Sequence, residues 1–193
     1  MHSAKRAGSC AFALILTAAF AVEAADPYFK TGNFSGAGNC ADCHDELFDE
    51  LGEDVSIQRD WTGTMMGNSS RDPFWRAKFA SEIRRNPHLE HTLEAKCTRC
   101  HTPMANEEVK DVPGEMRFFG QGFSDPANPY HDAAMDGVSC TLCHQIVDDG
   151  KLGTLEGESG NFAIADDPVA YGPYTNPRIN PMQRQSGYTP QHS

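Results

Sequence analysis

Three five-residue strings constrain this chain more than any other feature: Cys40-Ala41-Asp42-Cys43-His44, Cys97-Thr98-Arg99-Cys100-His101 and Cys140-Thr141-Leu142-Cys143-His144. They absorb six of the seven cysteines in 193 residues. Residues i and i+3 lie on one face of a helical turn, so each pair presents two thiols in one direction. Each string is the signature of c-type haem attachment. The two thiols form thioethers to the haem vinyl groups, and the histidine that follows sits beneath the iron and offers a neutral imidazole nitrogen. Other uses of paired cysteines fit less well. A zinc site takes four ligands per metal and has no fixed trailing histidine. A thioredoxin-like redox pair needs one such motif. A disulfide closed within one turn has poor geometry. Covalent haem c at all three strings is therefore expected.

The N-terminus reads as a secretory leader. Lys5 and Arg6 form a basic start, and Ala11 to Val22 is almost wholly apolar but short for a membrane span. Val22-Glu23-Ala24 places cleavage after Ala24, which makes residues 1–24 a signal peptide and 25–193 a trihaem domain. Cys10 precedes the apolar run and is discarded with the leader. Removing two basic residues and one acid moves the net charge from −11 to −12. Such acidity argues against nucleic acid as a partner. Export agrees with haem c, which is attached outside the cytoplasm, and predicts a periplasmic protein.

Apolar residues make up only 39% of the chain, leader included, so the mature part is short of core-forming side chains. Haems would supply most of the missing apolar bulk. Along the chain, the first motif reads as a turn that continues as a helix to Leu51 and stops at Gly52. The clearest helix follows Asp72 (N-cap) and Pro73 (N1), with Trp75, Phe79 and Ile83 at a spacing of four. Asn86-Pro87 ends it and starts another helix into the second motif. Val109 to Pro129 reads as loop, and a third helix is expected from Asp132 or Asp136 through His144 to Val147. From Gly150 onward the chain is rich in Gly, Pro and Asn, and an extended loop wrapping over haems is expected.

The fifth iron ligands are then His44, His101 and His144. The sixth decide function: a second strong ligand makes a carrier, whereas an open position permits substrate chemistry. The candidates are His131, free to reach another haem, His192 at the end of the wrapping tail, and one of Met65 and Met66, the alternative for that pair being packing against haem. His88 and His91 read as a solvated helix face, and Met104 as packing near its own haem.

Several strings beyond the motifs resemble exported multihaem cytochromes c, among them the tetrahaem carriers of nitrifying bacteria and the wider octahaem group. They are Trp61-Thr62-Gly63-Thr64-Met65-Met66, Arg71-Asp72-Pro73-Phe74-Trp75, Pro103-Met104, Gly137-Val138-Ser139 and Tyr171-Gly172-Pro173-Tyr174. The resemblance implies a mainly α, compact multihaem cytochrome c fold with much irregular loop, organised around three covalent haems. It implies periplasmic electron transfer, with a redox partner that presents a basic docking face to this acidic chain. In some relatives a distal histidine stands where this chain has Met66, so methionine ligation is possible there. In similar chains a segment like Gly187-Tyr188-Thr189-Pro190-Gln191-His192 leads into another haem motif, so these 193 residues read as a shortened three-haem member or, preferably, the front of a longer cytochrome. The alternative function is a redox enzyme in which one open haem acts on a small nitrogen or sulfur compound.

Overall fold

The computed structural model describes residues 24–193, so the expected leader and Cys10 lie outside the described residues. Eight helices and four short strands follow in order: α1 (Gly38–His44), α2 (Ile57–Thr62), α3 (Pro73–Arg85), α4 (Glu90–His101), α5 (Pro103–Val109), α6 (His131–Met135), α7 (Cys140–Cys143), β1 (Ile146–Val147), β2 (Ala163–Ile164), β3 (Val169–Gly172), α8 (Ile179–Ser186) and β4 (Thr189–His192). The fold is mainly α with long irregular connections, as the sequence predicts.

The centre is built by α3 to α6. The Asp72 carboxylate accepts the Phe74 N–H at 2.9 Å and Pro73 opens α3, so the cap forms as the sequence reads. Trp75 and Phe79 are buried and Ile83 packs at the edge of their cluster. Asn86 ends α3, and a 3₁₀ turn over Pro87–Leu89 leads into α4. Thr102 breaks the helix after the second motif and Pro103 restarts it as α5. Met104, Val109, Phe118, Phe123, Ala134 and Leu142 complete the interior. Phe118 meets Trp75 edge-on at 4.7 Å, and the Arg76 guanidinium lies 5.2 Å from the Phe118 centroid. The protein thus has an aromatic core of its own, larger than its composition suggests. The reason is that the stretch read as loop turns Phe118 and Phe123 inward, where each contributes about 2 kcal/mol.

Three expectations need correction. The first helix ends at His44 and does not run to Leu51: Asp45 is extended and Glu46 is left-handed at φ 54°. Residues 47–55 instead form a hairpin in which Phe48 faces Asp54 and the Val55 N–H donates to the Leu47 carbonyl at 2.8 Å. Gly52, at φ +79°, turns this hairpin. The third helix is split. Gly137 sits at φ +70°, and a Cβ there would lie 2.7 Å from the Met66 carbonyl, which accepts the Val138 N–H at 3.0 Å. That tertiary contact separates α6 from α7, and Ile146–Val147 leaves the helix to pair as β1 with β2. The tail is also more ordered than a wrapping loop. β3 and β4 pair in parallel from Val169–Thr189 to Gly172–His192, and α8 carries Pro181 in its first turn, where no intrahelical donor is lost.

Buried polar contacts tie both ends of the domain to α7. Thr141 Oγ1 donates to the Ser35 carbonyl at 2.8 Å, and Gln145 Nε2 donates to the Asn33 carbonyl at 2.9 Å. The Tyr188 hydroxyl donates to that same Asn33 carbonyl at 3.1 Å. The N-terminal loop, α7 and the tail are thereby locked together, which sets the first motif against the third.

Gly137→Ala is expected to lower stability by about 2–3 kcal/mol, through left-handed strain and collision with the Met66 carbonyl. Thermal melting of the holoprotein should show a drop of roughly 5–10 °C.

Candidate functional site

The three motifs occupy equivalent places. Each closes a helix: His44 is the last residue of α1, His101 the last of α4, and His144 caps α7. In each, the first cysteine (Cys40, Cys97, Cys140) is half-buried and the second (Cys43, Cys100, Cys143) is exposed. The three-residue step thus gives one thiol rooted in the protein and one at its surface, followed by an imidazole at the helix end.

Two of these imidazoles are oriented by distant backbone. His101 Nδ1 lies 3.0 Å from the Ser69 carbonyl, and Ser69 Oγ donates back to the His101 carbonyl at 2.9 Å. The Trp75 indole stacks on the His101 ring at 4.2 Å and 9°. His144 Nδ1 lies 2.6 Å from the Tyr171 carbonyl, and the Tyr171 N–H donates to the His144 carbonyl at 2.7 Å. A carbonyl at Nδ1 holds the proton there and leaves Nε2 as the free lone pair, which is how proteins prepare a histidine for a metal. His44 has no such partner among the described residues; it is exposed and faces the same cleft as His144.

That cleft, of about 340 Å³, lies between the first and third motifs and contains Cys40, His44, Cys140 and His144. Ile57, Ala170, Tyr174, Met182 and Tyr188 give it apolar walls. The Cys40 and Cys140 thiols are neighbours in this cleft, 100 residues apart in sequence. The neighbouring Cys140 thiol and burial push the Cys40 thiol well above its ordinary value. Burial also pushes the Asp136 carboxyl up, against the Ala37 N–H it accepts at 3.0 Å.

The remaining candidates are separated by geometry. His131 opens α6, half-buried, with Nδ1 2.9 Å from the Phe123 carbonyl. It therefore shares the orientation device of His101 and His144. His192 ends β4, exposed, with Nδ1 2.6 Å from the adjacent Ser193 carbonyl, and it does not line the cleft between the first and third motifs. Met65 and Met66 are exposed. Met66 uses its carbonyl to fix the start of α7, a role its side chain does not share. Met104 is fully buried in the core, where its sulfur accepts from Thr141 Oγ1 at 3.8 Å. His88 and His91 are exposed, and His91 lines a separate cleft of about 550 Å³ beside α4.

Sequence reading missed the carbonyls of Ser69, Tyr171 and Phe123, because every residue carries a carbonyl and no side-chain pattern marks these. It also missed Glu94. This carboxylate is buried three residues before Cys97, on the same side of α4, and accepts the Phe118 N–H at 2.8 Å. Burial raises it from 4.5 to about 7, assisted by Glu90 and opposed by the Phe118 N–H and Arg117.

These residues fit a covalent haem. Each motif sets one half-buried and one exposed thiol on one turn, the His101 and His144 imidazoles keep Nε2 free, and an apolar wall faces two of the motifs. The Trp75 indole N–H, buried beside His101 without an acceptor, suits a carboxylate at a haem edge. Among the described residues no three His, Cys, Asp or Glu side chains converge as ligands of a bare metal ion.

Fold and site together define a c-type cytochrome. Residues 39–145, more than half of the chain and inclusive of all three motifs, match the family of cytochrome c554 and c-prime, and the chain belongs to that family. Comparison with curated proteins and with solved structures returns no match. Membership brings covalently bound haem c and electron transfer. No helix among the described residues is long and apolar enough to cross a membrane.

The raised Glu94 carboxyl sets a direction for stability. The folded state holds the proton up to about pH 7 and the unfolded chain only to about 4.5. The contribution is complete below the lower value and is lost as pH rises through the upper one. Glu94→Gln removes this loss. The variant should melt about 5 °C above the parent at pH 8 and at nearly the same temperature at pH 4.5. An equal difference at both pH values would contradict the assignment.

Proposed function

We propose that this cytochrome carries three haems c, held through Cys40 and Cys43, Cys97 and Cys100, and Cys140 and Cys143, and that it passes electrons among them in the periplasm. The reading rests on one observation: three complete motifs stand at equivalent helix ends, each with a rooted thiol, a surface thiol and a terminal imidazole. A leader of secretory type at residues 1–24 supports export.

When bound, haem supplies an iron that cycles between ferric and ferrous states. The chain's own groups do the rest. His44, His101 and His144 offer the proximal nitrogens. The Ser69 and Tyr171 carbonyls hold the Nδ1 protons of the latter two and fix their ring planes. Ile57, Tyr174, Met182 and Tyr188 present apolar surface to the cleft shared by the first and third motifs. Among the distal candidates His131, His192 and Met66, the Phe123 carbonyl favours His131, because it leaves Nε2 free on a half-buried side chain. Two histidines on an iron keep its potential low, whereas a methionine raises it. The net charge of −11 favours a redox partner with a basic face.

The test is a haem count on the exported protein by pyridine haemochrome and intact mass, with EPR of the ferric state. Three haems per chain, all low-spin, are expected. One or two haems would overturn the stoichiometry, and a high-spin haem that binds nitrite or hydroxylamine would favour the enzyme reading. Cys97→Ala with Cys100→Ala should remove one haem and leave two. His131→Ala should convert one low-spin haem to high-spin without lowering the count.

A further inference from the structure

The charges are unevenly placed. From Asp42 to Asp54 every charged side chain is acidic: Asp42, Asp45, Glu46, Asp49, Glu50, Glu53 and Asp54. No lysine or arginine occurs between Lys30 and Arg59. Several of these acids already have work inside the protein. Asp54 pairs with Arg59, Asp49 accepts the Leu51 and Glu53 N–H groups, and Asp42 accepts from Gln185. Glu46, Glu50 and Glu53 are exposed, and their side chains make no hydrogen bond or ion pair among the described residues.

This acidic stretch frames an apolar tip. The hairpin of residues 47–55 carries Phe48 at 64% exposure and Leu51 at 85%. Ile57, just beyond, lines the cleft that holds His44 and His144, but Phe48 and Leu51 do not. Both side chains stand exposed on the hairpin, which is closed by the Val55–Leu47 bond, and the Leu47 N–H donates to the buried Ser56 Oγ at 2.9 Å. The hairpin begins three residues after His44, and Cys43 is exposed beside it. An exposed apolar tip with a rim of one sign, three residues after a motif whose outer cysteine is exposed, has the make-up of an electron-transfer docking face. Such contacts are small, below about 1,200 Å², and are steered by charge.

We infer that the 47–55 hairpin is the docking surface for a small basic redox protein, with Phe48 and Leu51 as the apolar contact, Glu46, Glu50 and Glu53 as the steering rim, and the first motif as the point of electron exchange. The inference rests on the electron-transfer reading above and adds the place, the partner's charge and the entry point. The partner presents an apolar patch ringed by lysines. Association is fast at low salt and slows as salt rises.

The experiment uses the haem-loaded chain, reduced with dithionite, and a lysine-rich single-haem cytochrome c as oxidant in stopped flow. Haem content and full reduction are verified before mixing, so failure of the electron-transfer reading shows there and is separate from failure at the docking step. The variant E46Q/E50Q/E53Q should lower the second-order rate at low ionic strength by about fivefold and flatten its salt dependence. Leu51→Ser should lower the rate by about threefold with the salt dependence unchanged. The control E156Q/E158Q/D166N, equal in charge on other loops, should leave the rate within about 1.5-fold of the parent. An equal loss in both triple variants would mean that only net charge matters and would overturn the site. No loss in the hairpin triple would overturn it as well.

Discussion

A motif cysteine can fix where a haem is attached, but only the direction of the histidine decides where its iron sits. In two motifs that direction comes from a backbone carbonyl far along the chain: Ser69 for His101 and Tyr171 for His144. Each bond is worth only about 1 kcal/mol in net stability. Its larger effect is to select one tautomer and one ring plane. Both bonds are reciprocated, by Ser69 Oγ on the His101 carbonyl and by the Tyr171 N–H on the His144 carbonyl. The histidine and its holder therefore cannot move apart separately, and the segment before α3 and strand β3 become parts of the site although neither carries a ligand.

This explains how unevenly the chain could be read. The three motifs were legible because each is contiguous, with two cysteines and a histidine in one helical turn. Helix α3 was legible for a similar local reason, since Asp72, Pro73 and the Trp75–Phe79–Ile83 spacing all act within a few residues. What failed to show were effects decided across the fold. The helix expected through residues 132–147 is broken because the Met66 carbonyl occupies the space beside Gly137. Phe118, Phe119 and Phe123 stand among glycines and prolines that mark a loop, yet Phe118 and Phe119 pack onto α3 and Phe123 is buried in the same core. The hairpin after the first motif was mistaken for helix because its strands are short and acidic. It is held by Asp49 and Ser56 contacts to backbone that no periodicity reveals.

The motifs also divide the interior between two kinds of support. The second motif leans on protein: Trp75 stacks on His101, and Phe79 and Phe118 pack behind Trp75. The first and third lean on each other, across an apolar cleft whose far wall is the tail. The parallel pairing of β3 with β4 explains why that tail is ordered despite its glycines and prolines. One edge of β3 supplies the Tyr171 carbonyl to His144, and its pairing with β4 leads from buried Tyr188, which reaches Asn33 near the N-terminus.

The distribution of charge follows from the same division. The second motif is backed by a core where even Glu94 gives up its charge over part of the physiological range. The first motif stands at an edge, with an exposed outer cysteine and an unbroken run of acids after it. A charge buried next to a redox centre changes its energy, whereas charges at the surface change who approaches it. With the docking surface proposed above, the two effects fall on different residues, Glu94 on the helix of the second motif and the acidic hairpin after the first. Tuning and recognition can therefore be altered by separate residues, without disturbing the carbonyl bonds that hold His101 and His144.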